Sequence, residues 1–255
     1  MKQAAVVIGL GEMGSVFARG LLKLGHPVYP VTRQTDINAL AEHIPQPAIV
    51  LNAVAEADLH PSLDKLPAAW QNKVALLQNE LLPRDWLSHK LENPTVISVW
   101  FEKKKGMDSK VLISSPAYGP GAAILVNALA TLDIPAHVVP SADDMEYELV
   151  RKNVYILTTN IAGLECGGVV DELWNDHQQL AQDVANDVMD IQEWLTGKKV
   201  DRDRLMVGFK EGIDGDPQHK CMGRSAPARL KRALELADEA RLTVKKLREI
   251  YSRSS

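Results

Sequence analysis

Three glycines near the start of the chain have a spacing that can bind an anion. They form Gly-x-Gly-x-x-Gly directly after the apolar run 5–8. In such a loop the first glycine makes a tight turn, the second lets the backbone approach a diphosphate, and the third allows a helix to pack closely on a strand. The pattern predicts a dinucleotide-binding loop made of Gly9, Leu10, Gly11, Glu12, Met13 and Gly14.

The residues after the second apolar run indicate which dinucleotide is bound. An acidic residue there would bind the adenosine ribose hydroxyls. This chain instead has Thr32 and Arg33 at that point, with Asp36 a few residues later. A guanidinium is a planar fork suited to phosphate, so we expect Thr32 and Arg33 to bind the 2′-phosphate of NADP. The alternative is that Arg33 stacks on adenine or faces solvent, while Asp36 reaches the ribose.

The elements that must position these side chains alternate along the first part of the chain. Strands that alternate with helices predict a parallel, doubly wound sheet, because each parallel pairing needs a crossover. A stretch rich in proline and glycine, 115–121, follows the last apolar run. The apolar runs that predict strands are 5–8, 28–31, 48–51, 74–77, 96–99 and 111–113.

The pattern changes near Asp143, where helical periodicity replaces the short apolar runs. Between Leu173 and Leu195 the apolar residues step by threes, fours and sevens, which predicts one amphipathic helix that ends at Gly197. The sequence therefore predicts an α/β domain over 1–143, followed by an all-helical domain over 144–255.

Composition excludes several classes of protein. The 255 residues are 45% hydrophobic and 24% charged, as in ordinary globular proteins, and a net charge of −4 argues against a general nucleic-acid surface. Cys166 and Cys221 have no metal-ligand spacing, so we expect neither a metal site nor a disulfide framework. The chain lacks a signal-peptide pattern and a run of about 18 apolar residues, which favours a cytoplasmic protein without a membrane span.

The one dense basic run is Lys103-Lys104-Lys105, which stands before Gly106. It is consistent with a solvated turn. A sharper alternative is that one of the lysines contacts a phosphate group.

The order of these motifs resembles the ketopantoate reductase family (2-dehydropantoate 2-reductases) over the whole chain. Those enzymes join an N-terminal Rossmann domain to a helical C-terminal domain and reduce a 2-keto acid with NADPH. The glycine loop and Arg33 are similar to the family's opening loop and its 2′-phosphate arginine. Gln78 and Asn79 are similar to the Leu-Gln-Asn-Gly segment beside the nicotinamide, with Glu80 in place of the glycine.

The segment from Glu148 to Asn160 resembles the family's interdomain helix. There a lysine, an asparagine four residues later and another asparagine after four more share one helix face. Lys152 and Asn160 occupy the first and last positions, and Ile156 occupies the middle one. The resemblance implies that Lys152 stabilises the negative charge on a carbonyl oxygen during hydride transfer and supplies a proton. It implies that Asn160 orients the substrate. The alternatives are a solvated lysine and an asparagine that bridges helices.

The C-terminal part departs from the family pattern. Cys221 stands where a serine is usual, and no Thr-Glu-x-Asp segment follows. A polar, cationic set, which contains His219, Arg224, Ser225 and Arg229, occupies this region. Its arginines could bind the carboxylate of a different acidic substrate, or they could pair with nearby acidic side chains.

The resemblance implies an NADP-dependent oxidoreductase that transfers a hydride to a small keto or imino acid, and a homodimer formed through the helical half. Two alternatives stay open. One is a hydroxyacid or opine-type dehydrogenase, because a Gly-Leu-Gly-x-Met-Gly loop is also common in β-hydroxyacid dehydrogenases. The other is a non-catalytic NADP-binding sensor or partner protein, which Ile156 and the missing carboxylate motivate.

Overall fold

The computed structural model describes residues 2–254 and divides into two compact units, Met1–Leu149 and Val150–Ser255. The first unit holds a sheet flanked by helices, and the second is built from helices. The predicted fold class, a doubly wound α/β sheet followed by an all-helical region, is confirmed.

The strands are β1 (Ala5–Ile8), β2 (Val28–Val31), β3 (Ile49–Asn52), β4 (Val74–Leu76), β5 (Thr95–Ile97), β6 (Phe101–Glu102), β7 (Lys110–Val111), β8 (Ser115–Tyr118) and β9 (Ala136–Val138). The α-helices of the first unit are α1 (Glu12–Lys23), α2 (Ile37–His43), α3 (Leu59–Leu63), α4 (Pro83–Leu87) and α5 (Ala122–Ala130). The helix α6 (Ala142–Cys166) crosses into the second unit, which continues with α7 (Val170–Asn175), α8 (Gln178–Thr196), α9 (Arg202–Gly215), α10 (Ala226–Ala240) and α11 (Lys245–Ser254).

The main sheet has the strand order β2-β1-β3-β4-β5-β8-β9. Every neighbouring pair is parallel except β5 and β8, which are antiparallel. All four residues of β1 are buried, as expected for a parallel strand covered on both faces. The chain leaves β1 toward β2 on one side and later adds β3 on the other. The carboxyl ends of β1 and β3 therefore form the switch point at which doubly wound sheets bind ligands.

The prediction was wrong for the region between residues 111 and 121. The run 111–113 was expected to be a strand of the main sheet, but β7 pairs with β6 in a separate hairpin. The strand β8 instead forms from the proline- and glycine-rich stretch, where Ala117 is fully buried between β5 and β9. Proline and glycine disfavour a strand, but the pairing of β8 with β5 and β9 outweighs this local preference.

Helix α1 packs closely on α5 as well as on the sheet. Phe17 and Leu21 of α1 are fully buried in the core of the unit. A Cβ at Gly20 would overlap the carbonyl oxygen of Ala128 on α5, so a glycine is required for the two helices to come this close. This packing fixes the amino end of α1 at the edge of the sheet.

The middle of helix α6 is almost entirely buried. From Leu149 to Gly163 every residue is buried except Lys152 and Ile156, which are half-buried. The neighbouring Arg151 joins α6 to α9: its Nη2 donates to Glu211 Oε2 at 2.8 Å and its Nε donates to the Gly208 carbonyl at 3.2 Å. Arg151 therefore links two helices of the second unit.

The long amphipathic helix expected from Leu173 onward is two helices. Leu173 lies on α7, while the later apolar residues lie on α8. The predicted end at Gly197 agrees with its left-handed backbone, with a φ of 68°. Among the described residues, no helix has the length and apolar composition needed to cross a membrane.

Candidate active site

The glycine loop lies where the topology predicts a ligand, at the carboxyl end of β1. Its first glycine, Gly9, has a φ of 87°, and a Cβ there would lie 3.1 Å from the carbonyl oxygen of Ala53, directly after β3. A Cβ at the third glycine, Gly14, would overlap the carbonyl oxygen of Gly9. Both positions require glycine because the turn and the start of α1 are pressed against each other.

Gly11 has the opposite environment. It is the N-cap of α1, and no atom lies within 4 Å of the place where its Cβ would be. No side chain caps α1 either, so the first-turn N–H groups have no side-chain acceptor. An open N-cap with uncapped donors fits a diphosphate, which helix amino ends bind well. Of the other loop residues, Leu10 and Glu12 are exposed, whereas Met13 packs against the core.

Thr32 and Arg33 lie in the turn after β2, at the same edge of the sheet. The hydroxyl of Thr32 accepts from the backbone N–H of Gln34 and lies 3.2 Å from the Thr35 hydroxyl, which fixes the turn. Arg33 is exposed, and its side chain makes no hydrogen bond or ion pair with the described residues. Asp36 is used differently: its Oδ1 accepts from the N–H groups of Asn38 and Ala39 and caps α2.

Gln78 joins the ends of two strands at this edge. Its Nε2 donates to the carbonyl of Asn52 at 2.8 Å and to that of Val54 at 3.2 Å. Its Oε1 accepts from the Leu77 N–H at 3.2 Å. Gln78 therefore ties together the chain segments that follow β3 and β4, and its amide is already satisfied. The half-buried side chain of Asn79 makes no hydrogen bond within residues 2–254, so it is the residue of this segment with free polar atoms.

Glu80 follows with a left-handed backbone, at a φ of 62°. L-residues with a side chain reach this region at a cost of roughly 1–2 kcal/mol, whereas glycine reaches it freely. The resemblance places a glycine at this position. The backbone of the segment therefore has the conformation that a glycine would favour, although the residue is a glutamate.

In the helical unit, Lys152, Ile156 and Asn160 lie on one face of α6, since they are spaced by four residues. Lys152 and Ile156 are half-buried, and Asn160 is 7% exposed. The predicted sharing of a face is therefore present in the helix. Ile156 places an apolar side chain between the two polar ones.

Asn160 is held by two groups that are distant from it in the sequence. Arg229 of α10, 7% exposed, donates from Nη1 to Asn160 Oδ1 at 2.9 Å. The Nδ2 of Asn160 donates to the carbonyl of Cys221 at 3.3 Å. No local pattern predicts this contact, because 69 residues separate the asparagine from the arginine.

Of the four residues of the predicted cationic set, Arg229 is buried in its contact with Asn160, and the other three have different environments. Arg224 is exposed, and its side chain makes no ion pair with the described residues. Ser225 is the N-cap of α10, without a capping bond from its side chain. His219 is mostly covered: its Nδ1 lies 3.9 Å from Asp216 Oδ2, and its ring packs edge-on against Tyr155.

The two cysteines, distant in sequence, are neighbours in the fold. Their thiols are close enough to interact, and both are free rather than joined by a disulfide. Burial raises the pKa of the Cys166 thiol and raises the pKa of Cys221 to about 12. A thiol that is neutral at pH 7 is a poor nucleophile, so Cys221 does not have the properties of a catalytic cysteine.

A separate cavity of about 360 Å³ lies at the other edge of the sheet, before the amino ends of β4 and β5. It is distant from the carboxyl ends of the strands and so is not the candidate site. Its lining residues are Gln71, Asn72, Lys90, Leu91, Glu92, Asn93 and Pro120.

The whole chain can be superposed on solved structures of one group of enzymes. A ketopantoate reductase of the PanE/ApbA family from Ralstonia eutropha aligns with a TM-score of 0.67 at 15% identity, over 98% of this chain and 97% of that one. The chain has the fold of the ketopantoate reductases. The resemblance inferred from the sequence is thus confirmed at the level of the fold.

Two further structures give the same result. A dimeric ketopantoate reductase from Staphylococcus aureus aligns with a TM-score of 0.66 at 15% identity, over 98% of this chain and 97% of that one. A D-mandelate dehydrogenase, solved with NADH and anilino(oxo)acetate, aligns with a TM-score of 0.66 at 13% identity, over 97% and 96% of the two chains. No protein-family model and no curated protein matches the sequence, so the likeness is one of structure.

Proposed function

We propose that the chain is an NADP-dependent oxidoreductase of the ketopantoate reductase type, which transfers a hydride to the carbonyl carbon of a small keto or imino acid. The observation that supports this most strongly is the glycine loop. Gly9 and Gly14 are tightly packed, while Gly11 is open at the uncapped start of α1. That combination fits a dinucleotide diphosphate, and it lies at the switch point of the sheet.

The preference for NADP rests on the turn after β2. Arg33 is exposed, and its side chain makes no hydrogen bond or ion pair with the described residues, so its guanidinium is available to a 2′-phosphate. Asp36, the acidic residue that could have bound the ribose hydroxyls of NAD, has its carboxylate committed to the cap of α2. Both observations favour a phosphate rather than a ribose hydroxyl beside β2.

When bound, the nicotinamide cofactor supplies the hydride. Hydride addition to a carbonyl carbon places negative charge on its oxygen, and a nearby ammonium lowers the energy of that state and can deliver the proton. Lys152 is assigned this role, because it is a half-buried cation on an otherwise buried stretch of α6. Asn160 is assigned to the same site as a positioning residue, held by Arg229.

The substrate is assigned as an acid on the basis of the loop before α10. Arg224 is exposed without an ionic partner among the described residues, and a guanidinium binds a carboxylate through two parallel hydrogen bonds. Ser225 follows as a hydroxyl donor at the start of α10. The likeness to a D-mandelate dehydrogenase favours a second candidate function, a 2-hydroxyacid dehydrogenase, which differs in substrate and not in the type of chemistry.

A homodimer formed through the helical unit is also part of the proposal, since the ketopantoate reductase from Staphylococcus aureus is dimeric. The helical unit exposes large apolar side chains on three different helices: Trp194, Val207 and Tyr251. Light scattering during gel filtration is the direct measurement of this state.

The test is a screen of 2-keto acids and imino acids, in which the oxidation of NADPH is measured by the absorbance of the reduced nicotinamide. We expect turnover of at least one acid and a loss of about 10²–10⁴-fold in kcat for Lys152→Ala, the usual contribution of a general acid. Lys152→Arg keeps the charge and serves as the control. Saturable NADPH binding without turnover of any acid would support instead the non-catalytic sensor or partner protein.

A further inference from the structure

The three lysines of the basic run have three different environments. They form the tip of the hairpin that joins β6 to β7. Lys104 pairs with Glu102 at 3.0 Å, and Lys105 is exposed without an ionic partner among the described residues. Lys103 points elsewhere, because its Nζ lies 3.7 Å from Oε2 of Glu12, in the first turn of α1. The basic run is therefore not a uniformly solvated turn.

The ammonium of Lys103 is held in place by its own loop. It donates to the carbonyl of Lys104 at 2.9 Å and also to the carbonyl of Met107. Its side chain is 21% exposed, compared with 64% for Lys104. Two hydrogen bonds to loop carbonyls hold the Lys103 ammonium beside the Glu12 carboxylate, which lies beyond hydrogen-bond distance. The lysine thus has a fixed position, which is unusual for a long, flexible cation at a surface.

The hairpin that presents Lys103 is anchored to the helix of the glycine loop. Phe101 of β6 is buried and packs against Phe17 of α1, with 6.3 Å between the ring centroids. The same helix has Glu12 in its first turn and Gly11 at its N-cap. The hairpin and the amino end of α1 are thus parts of one packed unit.

Stability alone does not account for this contact. Glu12 is 46% exposed, and ion pairs at such surfaces contribute little to folding. Glu12 instead opposes ligand binding. Its carboxylate lies in the first turn of α1, whose N–H groups would bind a diphosphate, and the two negative charges repel each other. A cation placed beside it removes that repulsion.

We propose that Lys103 is a cofactor-binding residue, which neutralises Glu12 and holds the diphosphate of the dinucleotide at the first turn of α1. This inference rests on the proposed function, since it requires a nicotinamide dinucleotide at the glycine loop. The diphosphate is common to NADPH and NADH, so Lys103 strengthens the binding of both. Arg33 differs in this respect, because it distinguishes between the two.

The test is a set of titrations of the protein with NADPH and with NADH, in which binding is measured by the fluorescence of the reduced nicotinamide. Lys103→Ala is expected to raise the Kd of NADPH and of NADH by the same factor, about 10-fold, which is the loss of one charge-assisted contact. Lys105→Ala is the matched control from the same run and is expected to leave both values within about 2-fold of the wild type. Lys103→Arg keeps the charge and is expected to restore most of the affinity.

A second variant tests the link to Glu12. In a Glu12→Gln background there is no carboxylate to neutralise, so Lys103→Ala is expected to raise the Kd less than it does in the wild type. Unchanged melting temperatures show that the variants are folded.

The outcomes separate this inference from the proposed function. If the wild type binds both nucleotides and Lys103→Ala behaves like Lys105→Ala, Lys103 has no role and only this inference is overturned. A loss confined to NADPH also overturns it, since Lys103 would then serve the 2′-phosphate. If the wild type binds neither nucleotide, the proposed function and this inference are both wrong.

Discussion

The guanidinium of Arg229 donates to the side-chain oxygen of Asn160 across 2.9 Å, and both residues are buried. Because Asn160 also donates to the carbonyl of Cys221, both ends of its amide are engaged by the protein. Asn160 thus links α6, α10 and the loop before α10. Lys152, two turns earlier on the same face of α6, is half-buried. The two residues expected to act together therefore differ in burial.

This difference in burial predicts unequal effects of two alanine variants on the free energy of unfolding. Asn160→Ala is expected to lower the free energy of unfolding by about 1–3 kcal/mol, because a buried guanidinium and a carbonyl each lose a partner. Lys152→Ala is expected to change it by less than about 1 kcal/mol. Urea denaturation followed by circular dichroism measures both. An equal loss in the two variants would mean that Lys152 is a structural residue.

Two glycine-to-alanine substitutions in the glycine loop are expected to differ in their effects on stability and on NADPH binding. Gly14→Ala forces a Cβ into the carbonyl oxygen of Gly9 and is expected to destabilise the fold by roughly 1–3 kcal/mol. Gly11→Ala meets no atom within 4 Å, so its melting temperature is expected to match that of the wild type, while NADPH binding falls. Thermal denaturation and titration of the same samples provide the comparison. Full NADPH affinity in Gly11→Ala would show that the diphosphate lies elsewhere.

The backbone of Glu80 predicts a stabilising substitution. Glu80→Gly removes the strain of a left-handed residue with a side chain and is expected to raise the free energy of unfolding by about 0.5–1 kcal/mol. Glu42→Gly, in the regular helix α2, is the control and is expected to lower it by about 1 kcal/mol. Both are measured by urea denaturation. A destabilising effect of Glu80→Gly would show that the contacts of the glutamate outweigh the strain.

The cysteines predict a dependence on pH. Burial holds the pKa of Cys221 at about 12, above the value of 9.0 for an ordinary thiol. Between pH 9 and pH 12 the Cys221 thiol loses its proton in the unfolded chain but keeps it in the native protein. The stability that the neutral, buried thiol contributes is therefore complete below pH 9 and is lost as the pH rises toward 12. At pH 8 we expect iodoacetamide to modify Cys221 readily in denaturant and very slowly in the native protein. Equal rates in the two states, measured by mass spectrometry, would contradict the buried, neutral thiol.

The sequence was sufficient wherever the signal was local. The glycine loop, the turn with Arg33 and the end of α8 at Gly197 each depend on a few consecutive residues, and short-range geometry determines them. The alternation of strands and helices likewise predicted the parallel sheet.

Contacts between distant segments could not be found in this way. The bond between Asn160 and Arg229 and the pairing of Lys103 with Glu12 join parts of the chain that have no common pattern. The strand β8 was missed for a related reason, since its proline and glycine residues argue against a strand until its two neighbours are known. Tertiary packing, and not propensity, determines all three.

The central claim is that the loop from Gly9 to Gly14 binds a nicotinamide dinucleotide and that Arg33 selects NADP. A titration of the wild type and of Arg33→Ala with NADPH and NADH tests it most directly, by the fluorescence of the reduced nicotinamide. The account predicts that NADPH binds the wild type with a Kd below about 100 μM. It also predicts that Arg33→Ala weakens NADPH by about 10-fold or more and NADH by less than about 2-fold. Equal losses for the two nucleotides would contradict the role of Arg33, and the absence of saturable binding of either nucleotide to the wild type would contradict the account as a whole.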